Sequence, residues 1–333
     1  MTAMIPFAVS YDPLGPGMSL GALILAALAL WLYARGLARS RRLRPEPSLW
    51  QQSFFGLGVL LMLAATNAPL APLGKSLFSV HQVEHLLLRL AGPLLIAVAQ
   101  PWGVFHAALP REWRSRARAL DGMGLIRWLR HPVLATALLI AALYLWQVPA
   151  LYALAQRVPA VEISAHLSMA LAGLWFFALL LDPRDPPEGM RRGGRLLAGI
   201  VVIVSNILLG SLTTLKEVTL YSAHRAATWP GQLSPMSDEA IGGYTIWVPS
   251  SMVMIAAIIL VFNGWNRAEE HRWNARHALM RESNSAALEF PETAEELRIK
   301  VAKPNSDMGR TLAFGALAMF AVVMVTAITV LAL

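Results

Sequence analysis

The chain has 333 residues, of which 56% are hydrophobic and only 14% are charged, and its formal net charge is +8. Soluble domains carry about 25% charged residues, so this composition excludes an ordinary soluble protein and indicates one that uses the bilayer as its solvent. The absence of cysteine excludes disulfides, thiolate zinc sites and iron–sulfur clusters, and leaves His, Met, carboxylate or backbone oxygen to hold any metal.

The first apolar run indicates a retained helix whose N-terminus faces outward. Residues 1–16 contain no basic residue, and the first arginines follow this run instead of preceding it. A cleavable signal has the opposite arrangement.

The hydropathy pattern predicts an all-α polytopic membrane bundle of about eight transmembrane helices, since a spanning helix needs about 20 apolar residues. Of the 28 lysines and arginines, most lie in alternate connections, within or beside 37–50, 100–131, 182–195 and 264–310. By the positive-inside rule these connections are cytoplasmic and both termini are outside. Membrane topology and contact with anionic lipid therefore explain the basic residues, and nucleic-acid binding is not indicated. The predicted runs are 18–36, 51–71, 79–99, 132–151, 161–181, 196–214, 244–263 and 311–332.

The third run opens with the most informative segment. His81 and His85 are four residues apart and share one helix face, at a spacing that lets two imidazoles bind one metal ion. Gln82 stands where the zinc-protease motif has its catalytic Glu, so we predict no hydrolytic activity. Glu84 and Arg89 are costly in a membrane span, which suggests support of the site around the metal ligands, with a structural ion pair as the alternative for Arg89. A hydrated interfacial histidine pair is the alternative to metal binding.

His166, in the fifth run, lies at about the predicted depth of His85. Glu162 precedes it by four residues and shares its face. The long outer connection that follows the sixth run, 214–243, holds three more candidate ligands, His224, Met236 and Asp238. The predicted metal ligands are therefore His81, His85, His166, His224, Met236 and Asp238, with Glu84, Glu162 and Arg89 around them.

The C-terminal part divides from the rest of the chain. We predict a seven-helix core over residues 1–265, a cytoplasmic linker with a charged helix over 266–310, and an additional transmembrane helix over 311–333. No P-loop or glycine-rich dinucleotide motif occurs, so no nucleotide is expected, and no catalytic constellation indicates an enzyme.

Imidazole with thioether and no thiol, on an oxidising face, favours copper over zinc or iron, although imidazole also suits zinc. Two histidines on one helix face suit a single small ion better than a haem, whose axial ligands approach from opposite sides. No haem is therefore expected.

The run LFSVHQVEHLLLRLAGPLLIAVAQP at 77–101 resembles the signature of the membrane-integral CtaG-type cytochrome c oxidase assembly factors, associated with caa-type oxidases. This is not the cysteine-using, single-helix copper-delivery family that shares the name. Further matches, over roughly residues 15–265, are His131-Pro132, Trp146 to Tyr152, His166 to Ser168, and DEAIGGYTIWVP at 238–249.

The resemblance implies a role in oxidase assembly, with copper supplied at the outward face of the cell (inner) membrane. His81, His85, His166 and Asp238 match family positions, whereas Gln147 and Glu162 stand where family histidines are expected, and Glu84 replaces a glutamine. The implied partners are cytochrome c oxidase subunits or a copper chaperone, in addition to membrane lipid.

Two other function classes remain open at this stage. A copper or proton transporter needs polar residues through the span, and the candidates are Arg89 and five polar residues of the sixth run. A membrane cytochrome needs paired histidines near both faces, and only the outer face offers them. The five sixth-run candidates for the transporter alternative are Ser205, Asn206, Ser211, Thr213 and Thr214.

Overall fold

The computed structural model describes residues 18–40, 46–121, 128, 131–184, 189–221, 233–276 and 293–332. Within these residues there are helices and no strand, so the predicted all-α class is confirmed.

The first half of the chain alternates long and short helices. In order they are α1 (Met18–Ser40), α2 (Leu49–Ala65), α3 (Leu70–Gly74), α4 (Phe78–Leu86), a π-helical segment (Leu87–Ala91), α5 (Gly92–Val98), α6 (Trp102–Ala108) and α7 (Arg111–Asp121).

The second half has longer helices. They are α8 (Pro132–Gln147), α9 (Pro149–Arg157), α10 (Pro159–Leu180), α11 (Arg192–Leu215), α12 (Pro235–Arg276) and α13 (Ala294–Ala332).

Among the described residues, four helices are long and apolar enough to cross a membrane, within α1, α10, α11 and α12. Two bent pairs raise the number to six if each pair is one span: Phe78–Val98 with α6, bent by 75°, and α8 with α9, bent by 76°. The described residues therefore support four to six spans, while the eight predicted spans and the outward termini stay predictions.

Prolines explain where the bent pairs break. Pro149 and Pro159 occupy the first turns of α9 and α10, positions where the missing N–H of proline costs nothing. Pro101 immediately precedes α6. A proline there ends the preceding helix and allows the chain to restart in a new direction.

The chain falls into two compact units, Met1–Gly264 and Trp265–Leu333. The first unit contains the apolar core, in which α10 packs against α5, α8 and the π segment. Core side chains from these and neighbouring helices include Leu90, Leu94, Leu139, Met169, Phe176, Phe177, Val202 and Met254.

Candidate metal centre

The N-terminus of α4 is held by a residue from far along the chain. Asp238, in the first turn of α12, accepts hydrogen bonds from the backbone N–H groups of Phe78 (2.7 Å) and Ser79 (3.1 Å) and from the Ser79 hydroxyl (2.5 Å). A carboxylate at this position satisfies orphan N–H groups and complements the helix dipole. Asp238 therefore acts as a cap for α4.

Helix α4 then presents His81 and His85 on one face, as their spacing predicts. Their ring centroids are 4.3 Å apart. Helix α10 brings His166 to the same place, with ring centroids 6.1 Å from His81 and 5.9 Å from His85.

These three residues form the three-histidine group. Each offers a ring nitrogen, and the three atoms lie within 4.8 Å of one another. Metal–nitrogen bonds are about 2 Å long, so a small side-chain rotation would bring all three onto one ion.

The three-histidine group is buried and short of hydrogen-bond partners. Only 5%, 3% and 6% of His81, His85 and His166 are exposed. His85 Nδ1 and both ring nitrogens of His166 have no hydrogen-bond partner. Buried polar atoms are rarely left this way, because each one loses its hydration. A metal ion would take one lone pair from each ring, including one of the two unpartnered nitrogens of His166, so the donor set fits one.

Glu84 orients the first ring of the group. Its Oε2 lies 3.0 Å from His81 Nδ1. With Nδ1–H donating to the carboxylate, the lone pair of Nε2 would be left for a metal ion. The carboxylate packs directly on Gly74 of α3, where an added Cβ would stand 2.2 Å from Oε1.

Glu162, four residues before His166 on the same face of α10, is half-buried. Its predicted role beside the metal ligands stays a prediction.

Arg89 lies in the π segment, one turn beyond His85, and is 2% exposed. Its Nη2 donates to Asn206 Oδ1 of α11 at 3.1 Å. Within the described residues no carboxylate lies at ion-pair distance from it, so the predicted alternative of a structural ion pair is not what the structure shows.

The sequence interpretation missed an aromatic cluster beside the group. Tyr152 of α9 stands edge-on to His81, with centroids 5.1 Å apart. Phe78 and Tyr221 stack on each other at 4.3 Å, and Tyr221 donates to the Gln147 carbonyl. Burial, and then the nearby Glu239 carboxylate, raise the pKa of Tyr221 to about 12, so it remains a neutral donor. Only helix packing brings these rings together, so no local sequence signal could have found them.

The other residues that the sequence singled out are not part of the three-histidine group. Met236 lies half-buried two residues before Asp238 in the first turn of α12, and its role as a ligand stays a prediction. His224 falls outside the described residues. Gln147, which stands where a family histidine was expected, donates from Nε2 to Gln82 Oε1 at 2.5 Å and so ties α8 to α4.

An apolar cavity of about 350 Å³ reaches His166 from between α1, α2 and α10. Its lining is mostly aliphatic, for example Ala26, Val59 and Leu171. His166 is thus adjacent both to the three-histidine group and to an apolar space.

Comparison with known proteins gives one family and distant relatives. The sequence profile of the cytochrome c oxidase caa3 assembly factor family (Caa3_CtaG) matches residues 31–268. Uncharacterised proteins of Mycobacterium bovis and Mycobacterium leprae are each 22% identical, over 84% and 72% of this chain and over 42% and 38% of their own lengths. The chain therefore spans about two-fifths of the curated relatives it matches. No solved structure matches it.

Proposed function

The chain belongs to the cytochrome c oxidase caa3 assembly factor family, and we propose that it assists assembly of a haem–copper oxidase by holding copper at the three-histidine group. The observation that carries this proposal is the convergence of three buried imidazoles, two of which have ring nitrogens without hydrogen-bond partners. The proposed partners are oxidase subunits or a copper chaperone that exchanges the ion.

The donor set supports copper. Neutral imidazoles without a competing thiolate are good ligands for copper and also for zinc.

The location and rigidity of the site also support the proposal. The positive-inside rule predicts that α4 lies near the outward face of the membrane, where an ion for the oxidase would be received. Its Asp238 cap and the Glu84 contact hold His81 and His85 in place before any ion arrives, which lowers the cost of binding.

The polar residues of the sixth run give little support to the transporter alternative. Ser211, Thr213 and Thr214 donate to carbonyls of their own helix α11, and Asn206 accepts from Arg89. Ser205 has a buried hydroxyl without a hydrogen-bond partner, but this one group does not make a continuous polar path through the span. The part of the core around Leu94 and Phe177 is also closely packed and apolar.

The first test is metal analysis of the purified full chain together with its absorption spectrum. We expect one copper per chain and no Soret band. His85→Ala and His166→Ala should each lose the metal while the protein still accumulates in the membrane, because affinity depends on ligand number and geometry. His271→Ala changes an exposed histidine outside the group and should bind as wild type. A Soret band, or copper retained by both site variants, would contradict the proposal.

The second test is genetic. Deleting the gene should lower oxidase activity while oxidase transcript levels stay unchanged, and added copper should restore part of the activity. The His85→Ala allele should reproduce the deletion, and the His271→Ala allele should complement it. Normal oxidase activity in the deletion strain under copper limitation would rule out the assembly role.

A further inference from the structure

We infer that Arg89 makes the three-histidine group selective for monovalent over divalent metal ions, an inference that rests on the proposed function and specifies which ion it takes. Arg89 belongs to no ligand set, because a guanidinium has no lone pair to offer. Its effect on the site would be through its charge.

The position of Arg89 is fixed by an irregular stretch of helix. The π segment widens the turn between α4 and α5, and such segments often occur at functional sites. Helix α10 packs directly on it, with Gly173 so close that an added Cβ would stand 2.1 Å from the Arg89 carbonyl oxygen. The guanidinium lies inside the bundle, 2% exposed, one turn beyond His85.

The charge of Arg89 is not neutralised by its direct contacts. Nη2 bonds to the neutral Asn206 amide at 3.1 Å, while Nε and Nη1 have no hydrogen-bond partner. A buried arginine kept only for stability would be expected to pair with a carboxylate. Because the side chain is buried, its field is screened little by solvent.

Arg89 is a buried positive charge beside the three-histidine group, one turn beyond His85. The imidazoles that would hold the ion are neutral ligands. A divalent ion adds twice as much positive charge next to Arg89 as a monovalent ion does, and the cost of charge in an apolar medium rises steeply with its size.

Arg89 discriminates because its repulsion of an ion is proportional to the charge of that ion. Removing the arginine should therefore help a divalent ion by the square of the factor by which it helps a monovalent one. At the separation of about one to two helix turns, a factor of about ten for monovalent and about a hundred for divalent ions is expected.

The experiment measures Cu(I) and Zn(II) affinities of the purified full chain by competition with chromophoric chelators under anaerobic conditions. Arg89→Gln keeps a donor for Asn206 and loses the charge, so Zn(II) affinity should rise about tenfold more than Cu(I) affinity. Asn206→Asp keeps the arginine but places a carboxylate beside it, and should shift the ratio in the same direction. Arg157→Gln removes the same charge at an exposed position at the end of α9 and should leave the ratio within about twofold, because solvent screens it.

The outcomes separate the two proposals. If the wild-type chain binds neither ion, the proposed function fails, and this inference fails with it. If the wild type binds but Arg89→Gln or Asn206→Asp changes both affinities by the same factor, only the role of Arg89 is overturned. Asn206→Asp covers the case in which Arg89→Gln does not fold.

Discussion

At the scale of single residues, the buried polar side chains of this protein organise one another across long sequence distances. Glu84 depends on Gly74, because only a residue without a side chain lets the carboxylate approach α3 so closely. The carboxylate in turn contacts Nδ1 of His81. Gly74 is thus part of the site although it touches no ligand.

This dependence gives a prediction for Gly74→Ala. The new methyl group would overlap the Glu84 carboxylate and push it away from His81, and loss of such a supporting contact typically weakens metal binding about 10- to 100-fold. Chelator competition on the purified protein measures the change. Gly56→Ala, with nothing within 4 Å of its added Cβ, is the matched control and should bind normally. Wild-type affinity in Gly74→Ala would show that the contact is dispensable.

Asp182 is the buried carboxylate just beyond the C-terminus of α10. It accepts hydrogen bonds from the backbone N–H of Arg184 (3.0 Å) and from its guanidinium (2.5 to 3.0 Å). Burial alone would raise the pKa of Asp182, but these hydrogen bonds and the charges of Arg184 and Arg195 outweigh it and lower the pKa below 3.8. The ionised form is therefore favoured by folding.

This shift gives a prediction for pH dependence. A lowered folded-state pKa contributes stability that is present above the unfolded value of 3.8 and is lost as pH falls through the folded value. Asp182→Asn should therefore melt at a lower temperature than wild type at pH 7, measured by thermal unfolding in detergent. The difference should shrink as the pH falls below 3.8, and a difference independent of pH would contradict this account.

At the scale of helices, the site depends on an irregular helix packed against a regular one. Helices α4 and α5 flank the π segment, and α10 fits closely against it because Ala172 and Gly173 leave room for the neighbouring backbone. The same packing carries His166 toward His81 and His85. The packing of α10 on the π segment and the geometry of the three-histidine group therefore depend on each other.

Gly173→Ala tests this packing. Its methyl group would overlap a backbone oxygen that cannot rotate away, so the helices must separate at a cost of about 1–3 kcal/mol or more. A lower melting temperature and weaker metal binding should occur together. Gly103→Ala, with open space at its added Cβ, controls for the change in helix propensity. An unchanged melting temperature in Gly173→Ala would mean that the helices adjust freely.

At the scale of the whole molecule, the two bent pairs explain why apolar runs and spans do not correspond one to one. The run at 132–151 divides at Pro149 into α8 and α9, which meet at 76°. The run at 51–71 yields only the 17 residues of α2. The number of crossings therefore depends on how the bent pairs sit in the bilayer.

The topology itself is testable with introduced cysteines, because the chain has none of its own. Ser115 and Ser234 are both exposed. The positive-inside rule puts Ser115 in the cytoplasm and Ser234 outside. In intact cells Ser234→Cys should react with an impermeant thiol reagent, and Ser115→Cys should react only after lysis. The reverse pattern would put α4 and its histidines at the cytoplasmic face.

The sequence by itself determined the features that depend on local periodicity. Apolar runs gave the helices, and the four-residue spacing put His81 and His85 on one face, because helix geometry fixes which neighbours share a face. The matching motifs also indicated the family, which the profile over 31–268 supports.

Only the tertiary structure decided which distant residues meet. It brought His166 to the histidine pair, Asp238 to the start of α4 across 160 positions, and Arg89 to Asn206 across 117. It also made Asp238 a cap of α4, while its predicted role as a metal ligand stays a prediction. No local pattern encodes such pairings, because they follow from which helix faces pack together and from where glycines let backbones approach closely.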